Sequence, residues 1–146
     1  MQLEAMYQEL ILDHYRHPHG RGLVSDFVAE THHVNPTCGD EITLRLHGEP
    51  PSFSISYENQ GCSISQASAS MMFDLINGRP YEDAFMIADA FLAMMQSQGS
   101  GSPDEDLLED AVAFHGVSKY PARVKCALLG WMAYKDAVST ALSKGV

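Results

Sequence analysis

The chain has 146 residues, which is enough for one domain but too few for two of ordinary size. Its 9 lysines and arginines stand against 19 aspartates and glutamates, so the formal net charge is −10 and nucleic-acid phosphates would be repelled. The sequence has no apolar run of about 18 residues and no signal-peptide pattern at its start, so we expect a cytoplasmic protein with no membrane partner and with reduced thiols.

The first half of the chain predicts one helix followed by a small sheet. Apolar residues recur at helical spacing from Leu3 to His14 and the pattern stops at Pro18, so residues 2–17 are predicted to form an amphipathic helix. Three segments with alternating or β-branched residues follow, and they predict antiparallel strands. These segments are 28–34, 42–47 and 53–57.

The second half of the chain predicts helices. Ser63 or Ser65 can cap a helix that runs to Asn77, and a second helix is predicted over residues 81–96. Residues 98–102 form a glycine- and serine-rich stretch that we interpret as an exposed loop, because too little apolar sequence follows it for a separate domain.

A last helix is predicted to start near Ala122 and to carry two stripes of residues. Six apolar residues are expected to point inward on one side: Val124, Ala127, Leu128, Trp131, Val138 and Leu142. Cys126 lies on a narrower stripe of small residues, where another part of the backbone could approach closely. These elements together predict a single α+β domain over residues 1–146, in which a small antiparallel sheet of about three strands packs against several helices.

The three cysteines fall in separate parts of the sequence, and a carboxylate follows the first of them. Three thiols cannot all form internal disulfides, and no two have the spacing of a redox dithiol. Cys38 and Asp40 are two residues apart, which in extended backbone sends both side chains to one face. With Cys62 and Cys126 they would complete a four-coordinate site suited to zinc or to iron–sulfur chemistry.

Other interpretations of these residues compete with a metal site. Free cysteines are often small core residues, and a purely structural zinc site would satisfy the same spacing. Two histidine pairs offer rival ligands, His17 with His19 and His32 with His33, but neither spacing implies convergence and surface positions are favoured. The sequence contains no motif of a hydrolase, kinase or metalloprotease.

The cysteine segments resemble those of a known family. They are similar to the three signature segments of the IscU/SufU/NifU N-terminal family of iron–sulfur cluster assembly, and the order along the chain agrees. The segments that carry the resemblance are Cys38-Gly39-Asp40, Gly61-Cys62 and the stretch 121–126. The end of the first helix, at 14–18, and the stretch 116–123 are similar to the SufU branch.

The chain departs from the IscU branch in ways that favour SufU. IscU-type proteins carry a histidine before the third cysteine and a chaperone-recognition segment, whereas Lys125 precedes Cys126 here. A segment at about 96–119 separates the two halves of the family pattern, as an insertion does in SufU-type proteins. The resemblance implies a SufU/IscU-like fold and favours a zinc-bound sulfurtransferase over a cluster scaffold.

The resemblance also implies a reaction and a partner. A pyridoxal-phosphate-dependent, SufS-like cysteine desulfurase would make a persulfide, and this chain would take the outer sulfur on Cys38 and pass it towards cluster assembly, for which a downstream cluster scaffold is a candidate second partner. In the family, a histidine of the desulfurase frees this thiol by replacing it on zinc. Arg123 is the obvious cation to offset the charge of three thiolates and one carboxylate around zinc, and as a catalytic residue its guanidinium could also orient a bound sulfur anion. The alternative is that Arg123 is only an exposed arginine at the start of the helix.

Two alternatives to sulfur transfer stay open at this point. The chain could be a scaffold that builds a transient iron–sulfur cluster on its three cysteines, or a non-enzymatic adaptor that zinc merely stabilises. Metal content separates the first alternative from sulfur transfer, and persulfide uptake separates the second.

Overall fold

The computed structural model describes residues 4–145, and there it confirms the predicted α+β class. Helices pack against a three-stranded antiparallel sheet with strand order β1-β2-β3. The elements in chain order are α1 (Ala5–Arg16), β1 (Ala29–Asn35), β2 (Asp40–Glu49), β3 (Ser52–Gln60), α2 (Ser63–Ile76), α3 (Tyr81–Met95), α4 (Glu105–Leu108), a 3-10 helix (Glu109–Lys119) and α5 (Pro121–Ser143). Residues 2 and 3 of the predicted first helix lie outside the described range. No helix between residues 4 and 145 has the length and apolar character needed to cross a membrane.

Strand β2 places a carboxylate on the buried face of the sheet. Side chains alternate between faces along a strand, and every second residue of β2 is buried from Asp40 through Ile42 and Leu44 to Leu46. Asp40 therefore continues the row of core side chains. It pairs across the turn with Asn35, the last residue of β1.

Helix α5 packs closely on the sheet along the stripe of small residues that contains Cys126. Cys126, Gly130, Ala133 and Ala137 are all buried. The hydroxyl of Thr31 in β1 donates a hydrogen bond of 3.0 Å to the carbonyl of Ala133, which fixes the strand against the helix. The third cysteine is thus carried to the end of the sheet where β1 turns into β2.

Residues 98–102 form a largely exposed loop, as predicted, whereas the later part of the segment between α3 and α5 folds against the core. Phe114 of the 3-10 helix is fully buried, and its ring lies 5.9 Å from that of Phe91 in an edge-on arrangement. The 3-10 helix also packs against α1. That residues 96–119 are an insertion relative to the family stays a prediction.

Two details predicted from the sequence are wrong. Leu142 is 39% exposed, because the buried stripe of α5 continues through Ala137 and Ala141 and leaves the next position facing outward. Neither serine caps α2: Cys62 occupies the N-cap position, and the hydroxyl of Ser65 donates back to the Cys62 carbonyl at 3.1 Å. Helix α2 therefore starts directly at the second cysteine.

Candidate metal centre

Cys38 lies in the tight turn between β1 and β2. The carbonyl of Asn35 accepts hydrogen bonds from the backbone N–H groups of Cys38 at 3.3 Å and Gly39 at 2.9 Å. Gly39 has a φ of +72°, a left-handed conformation that glycine adopts without strain. The turn leaves Cys38 half-buried at the surface and delivers Asp40 to the buried start of β2.

The Asp40 carboxylate is fully buried and points at the second cysteine. Its Oδ1 accepts a hydrogen bond of 2.7 Å from the backbone N–H of Cys62, and its Oδ2 lies 3.7 Å from the Cys62 Sγ. A buried carboxylate is costly unless hydrogen bonds or a cation compensate its charge. Asp40 has one strong hydrogen bond, and its other oxygen faces a thiol, which suits a shared cation.

Gly61 is the residue that allows this approach. Its φ is +135°, and a Cβ at this position would lie 2.8 Å from the Cα of Asp40 and overlap the carboxylate itself. Any larger residue would therefore push Asp40 away from Cys62. The glycine before the second cysteine is thus a requirement of the site's geometry.

Cys126 supplies a third thiol from the first turns of α5. It is fully buried, and its Sγ lies 3.3 Å from that of Cys38, well beyond the roughly 2.05 Å of a disulfide. Burial, followed by hydrogen bonds to Asp40 and Cys38, raises the pKa of Cys126. A bound cation would be needed to keep this thiol ionised at neutral pH.

The structure brings the four predicted ligands together, three of them in a tight group. Ligand atoms of Cys38, Asp40 and Cys126 all lie within 4.8 Å of one another, and Cys62 adjoins this group through Asp40. Ligands of a tetrahedral zinc ion are roughly 3.3–3.8 Å apart, given bond lengths of about 2.0–2.3 Å. The 3.7 Å between the Cys62 Sγ and the Asp40 Oδ2 lies within that range, whereas the two sulfurs of Cys38 and Cys126, 3.3 Å apart, would have to separate to the roughly 3.8 Å of two thiolates on zinc. Metal binding by these residues stays a prediction.

Arg123 lies beside the thiols on the exposed side of α5. It precedes Cys126 by three residues, close to one helical turn. The pKa of Arg123 is raised, first by negative charge on Cys62 and then by a hydrogen bond with Cys126. The side chain is therefore positioned to offset negative charge at the centre, although its exposure to water weakens the effect.

Sequence reasoning missed one residue that contacts the centre. Asn35 is buried, and its Nδ2 donates to the Cys126 Sγ at 3.7 Å. A hydrogen bond to a metal-bound thiolate would tune its charge and fix its position. Asn35 could have been suspected from its position three residues before Cys38. Its contact with Cys126 could not, because that contact depends on how α5 packs on β1.

This chain is an α+β domain that carries three free cysteines and a buried aspartate at one end of its sheet, and Cys38, Asp40 and Cys126 form a group that could hold a metal ion. The NifU-like N terminal domain family matches residues 6–127. The chain therefore belongs to this family, whose relatives are iron–sulfur cluster assembly proteins.

Two curated relatives and one solved structure illustrate the similarity. The chain is 42% identical over 139 residues to the zinc-dependent sulfurtransferase SufU of Bacillus subtilis, covering 94% of this chain and 92% of the relative. It is 38% identical to the iron–sulfur cluster assembly scaffold protein IscU of Streptococcus pyogenes, covering 94% and 85%. A crystal structure of FiSufU from Fervidobacterium islandicum, described as an assembly scaffold for the SUF system, matches with 30% identity and a TM-score of 0.78 over 92% of this chain and 98% of that one.

Proposed function

We propose that this chain is a zinc-dependent sulfurtransferase that accepts persulfide sulfur from a pyridoxal-phosphate-dependent cysteine desulfurase for iron–sulfur cluster assembly. The convergence of Cys38, Asp40 and Cys126 within 4.8 Å, with Cys62 adjoining, is the observation that carries the proposal. The similarity to the B. subtilis SufU, a protein named a zinc-dependent sulfurtransferase, supports it.

The donor set fits zinc. Three thiols and one carboxylate are the soft and borderline ligands that zinc accepts in four-coordinate sites, and Cys38, Asp40, Cys62 and Cys126 would hold it. Bound zinc would keep the thiols ionised at neutral pH. The four ligands carry four negative charges against two on zinc, so the centre would have a net charge of −2. Arg123 is placed to compensate part of this charge.

Cys38 is the best acceptor among the three thiols. Cys38 and Cys62 are both half-buried, but Cys38 lies in a turn whereas Cys62 is fixed at the start of α2, and Cys126 is enclosed by the core. The Cys38 thiolate would attack the outer sulfur of the desulfurase persulfide. A new S–S bond forms on Cys38 as the S–S bond of the desulfurase breaks, and the desulfurase cysteine leaves as a thiolate, so no external oxidant or reductant is needed.

A cluster scaffold is the second candidate. It is supported by the relatives named IscU and by the same three cysteines, which are also ligands for iron–sulfur clusters. An adaptor that zinc merely stabilises, without sulfur chemistry, would use the same four ligands. Iron and acid-labile sulfide would be found in the purified scaffold, and an adaptor would take up no persulfide sulfur.

Metal analysis and thermal unfolding test the centre directly. We expect one zinc ion per purified chain, and we expect chelation to lower the melting temperature by about 10 °C, because zinc joins segments that are far apart in sequence. The estimate assumes zinc at about a thousand times its dissociation constant, which contributes about 4 kcal/mol. Adding zinc back should restore the melting temperature. A chelated, zinc-free chain that melts at the original temperature would count against the site.

Substitution of Arg123, the exposed cation beside the thiols, gives a second test of the proposed function. Arg123→Ala should leave zinc bound but slow sulfur acceptance by about tenfold or more, because the guanidinium offsets charge that builds up when persulfide meets thiolate. Arg123→Lys should restore only part of the rate. Lys125→Ala removes a neighbouring exposed cation of α5 and is the matched control, expected to transfer sulfur normally. A wild-type rate for Arg123→Ala would make Arg123 an ordinary surface residue.

A further inference from the structure

A second cluster of metal-binding side chains lies where α1, the loop after it and α2 meet. Ligand atoms of His14, His19 and Asp74 are all within 4.8 Å of one another. Asp74 follows Cys62 by twelve residues, which places it about 18 Å further along the axis of α2. The cluster is therefore separate from the cysteine centre.

His14 is the fixed member of this cluster. It is only 3% exposed, and its Nδ1 lies 2.7 Å from the hydroxyl of buried Ser70. The same hydroxyl accepts a hydrogen bond of 2.8 Å from the backbone N–H of His19, so one serine positions both histidines. The other ring nitrogen of His14, Nε2, lies 3.9 Å from a carboxylate oxygen of Asp110.

His19 and Asp74 form the exposed side of the cluster. The Nδ1 of His19 lies 2.8 Å and 2.7 Å from the two carboxylate oxygens of Asp74, and its ring centroid is 4.7 Å from that of His14. Gly20 has a φ of +71°, and a Cβ there would overlap the ring of Phe73 on α2. The loop after α1 is thus shaped to lie directly on α2 and hold His19 in place.

We propose that His14, His19 and Asp74 bind a divalent transition-metal ion of the zinc and cobalt class. Two imidazole nitrogens and one carboxylate oxygen are common ligands for such ions, and they leave a fourth position for water or another carboxylate. With the Nε2 of His14 on the metal, its Nδ1–H donates to Ser70, which is the kind of outer partner that orients a histidine ligand.

Space and charge around the cluster suit a cation. A cavity of about 90 Å³ is lined by His14, Asp74, Asp110 and Glu109 but not by His19, and it is large enough for an ion with a bound water. With neutral imidazoles, the two aspartates balance the charge of a divalent ion. Asp110 is 63% exposed, so it can move towards the metal at little cost.

Binding requires one small rearrangement of exposed side chains. The 2.7 Å between His19 and Asp74 is a hydrogen-bond distance, shorter than the roughly 3.3 Å between nitrogen and oxygen ligands on a tetrahedral ion. Both side chains are 45% exposed and can separate by this amount, while the buried His14 stays fixed. The metal would then replace a hydrogen bond with stronger links between the loop and α2.

Cobalt added to the 146-residue chain that carries one equivalent of zinc, expected at the cysteines, tests the site by absorption spectroscopy and thermal unfolding. We expect one equivalent to bind with the visible bands of nitrogen- and oxygen-bound cobalt, without thiolate charge-transfer bands, and to raise the melting temperature. His19→Ala and Asp74→Asn should each weaken binding by about tenfold or more and abolish the rise. Both positions are exposed, so these variants should fold even where a change at buried His14 would not.

The pair formed by His33 and Asp136 provides a matched control. Their side chains lie 2.9 Å apart at the surface, and in residues 4–145 no third ligand group joins them. His33→Ala should therefore bind cobalt like the wild-type chain. The proposal is overturned if the wild-type chain binds cobalt no more tightly than His19→Ala, if His33→Ala weakens binding equally, or if thiolate charge-transfer bands show cobalt at the cysteines.

Discussion

Replacing Cys38 with alanine should abolish sulfur uptake, with a loss of at least roughly 10³-fold, because Cys38 is the half-buried thiol of a turn, whereas half-buried Cys62 is fixed at the start of α2 beside Asp40. The Sγ of Cys126 is 3.3 Å from that of Cys38 but is fully enclosed by the core, so a persulfide on another protein cannot reach it. Removal of a nucleophile typically costs this much or more. Mass spectrometry after incubation with a cysteine desulfurase and cysteine should find the added sulfur on Cys38 of the wild-type chain.

Variants of the other two cysteines should lose sulfur uptake for a different reason. Cys62→Ala and Cys126→Ala should lose zinc and melt at a lower temperature, because these thiols are held at the start of α2 and in α5 and serve to keep the metal in place. Zinc content and melting temperature, measured beside sulfur uptake, separate the two kinds of failure. Sulfur on Cys126, or no sulfur on any cysteine, would contradict the proposed reaction.

The candidate ligands of the metal centre could be chosen from the sequence, but their contacts with one another could not. The cysteines and Asp40 stand out by residue type and by resemblance to the family, and the two-residue spacing of Cys38 and Asp40 suggested a shared location. The approach of Cys62 to Asp40 depends on the register of β2 and β3, in which Glu41 pairs with Gln60 and brings the next residue, Gly61, beside Asp40. Such a register is set by the whole sheet and cannot be deduced from one strand.

The contacts of the histidine cluster were even harder to predict from the sequence. Neighbouring histidines such as His17 and His19 attract attention in a sequence, yet His19 lies instead with His14 and with Asp74, which is 55 residues further along the chain. The helical spacing placed His14 on the apolar stripe of α1, and the structure buries it together with Ile11. Its polar partners come from α2 and the 3-10 helix, whose packing against α1 is tertiary information.

Gly61→Ala is a small substitution near the candidate metal centre, and we expect it to lower both stability and zinc affinity strongly. A non-glycine residue at a φ of +135° costs about 1–3 kcal/mol in backbone strain, and the new methyl group would overlap the Asp40 carboxylate and add a similar amount. We expect the free energy of unfolding to fall by about 2–6 kcal/mol. Zinc affinity should fall as well, because Asp40 has to move and its hydrogen bond to the Cys62 N–H breaks.

Gly22→Ala separates these two effects. Gly22 has a similar φ of +127°, but a Cβ there would meet no atom within 4 Å, so the substitution brings backbone strain without a collision. Denaturant unfolding and zinc titration of both variants should therefore show that Gly22→Ala loses some stability but retains zinc, whereas Gly61→Ala loses more stability and binds zinc weakly. Equal losses of stability with unchanged zinc affinity would mean that the position of Asp40 beside Cys62 does not matter for the metal. Because the loss of affinity in Gly61→Ala would come without any change to a ligand, it would show that metal binding depends on the backbone approach of β3 to β2 as well as on the four side chains.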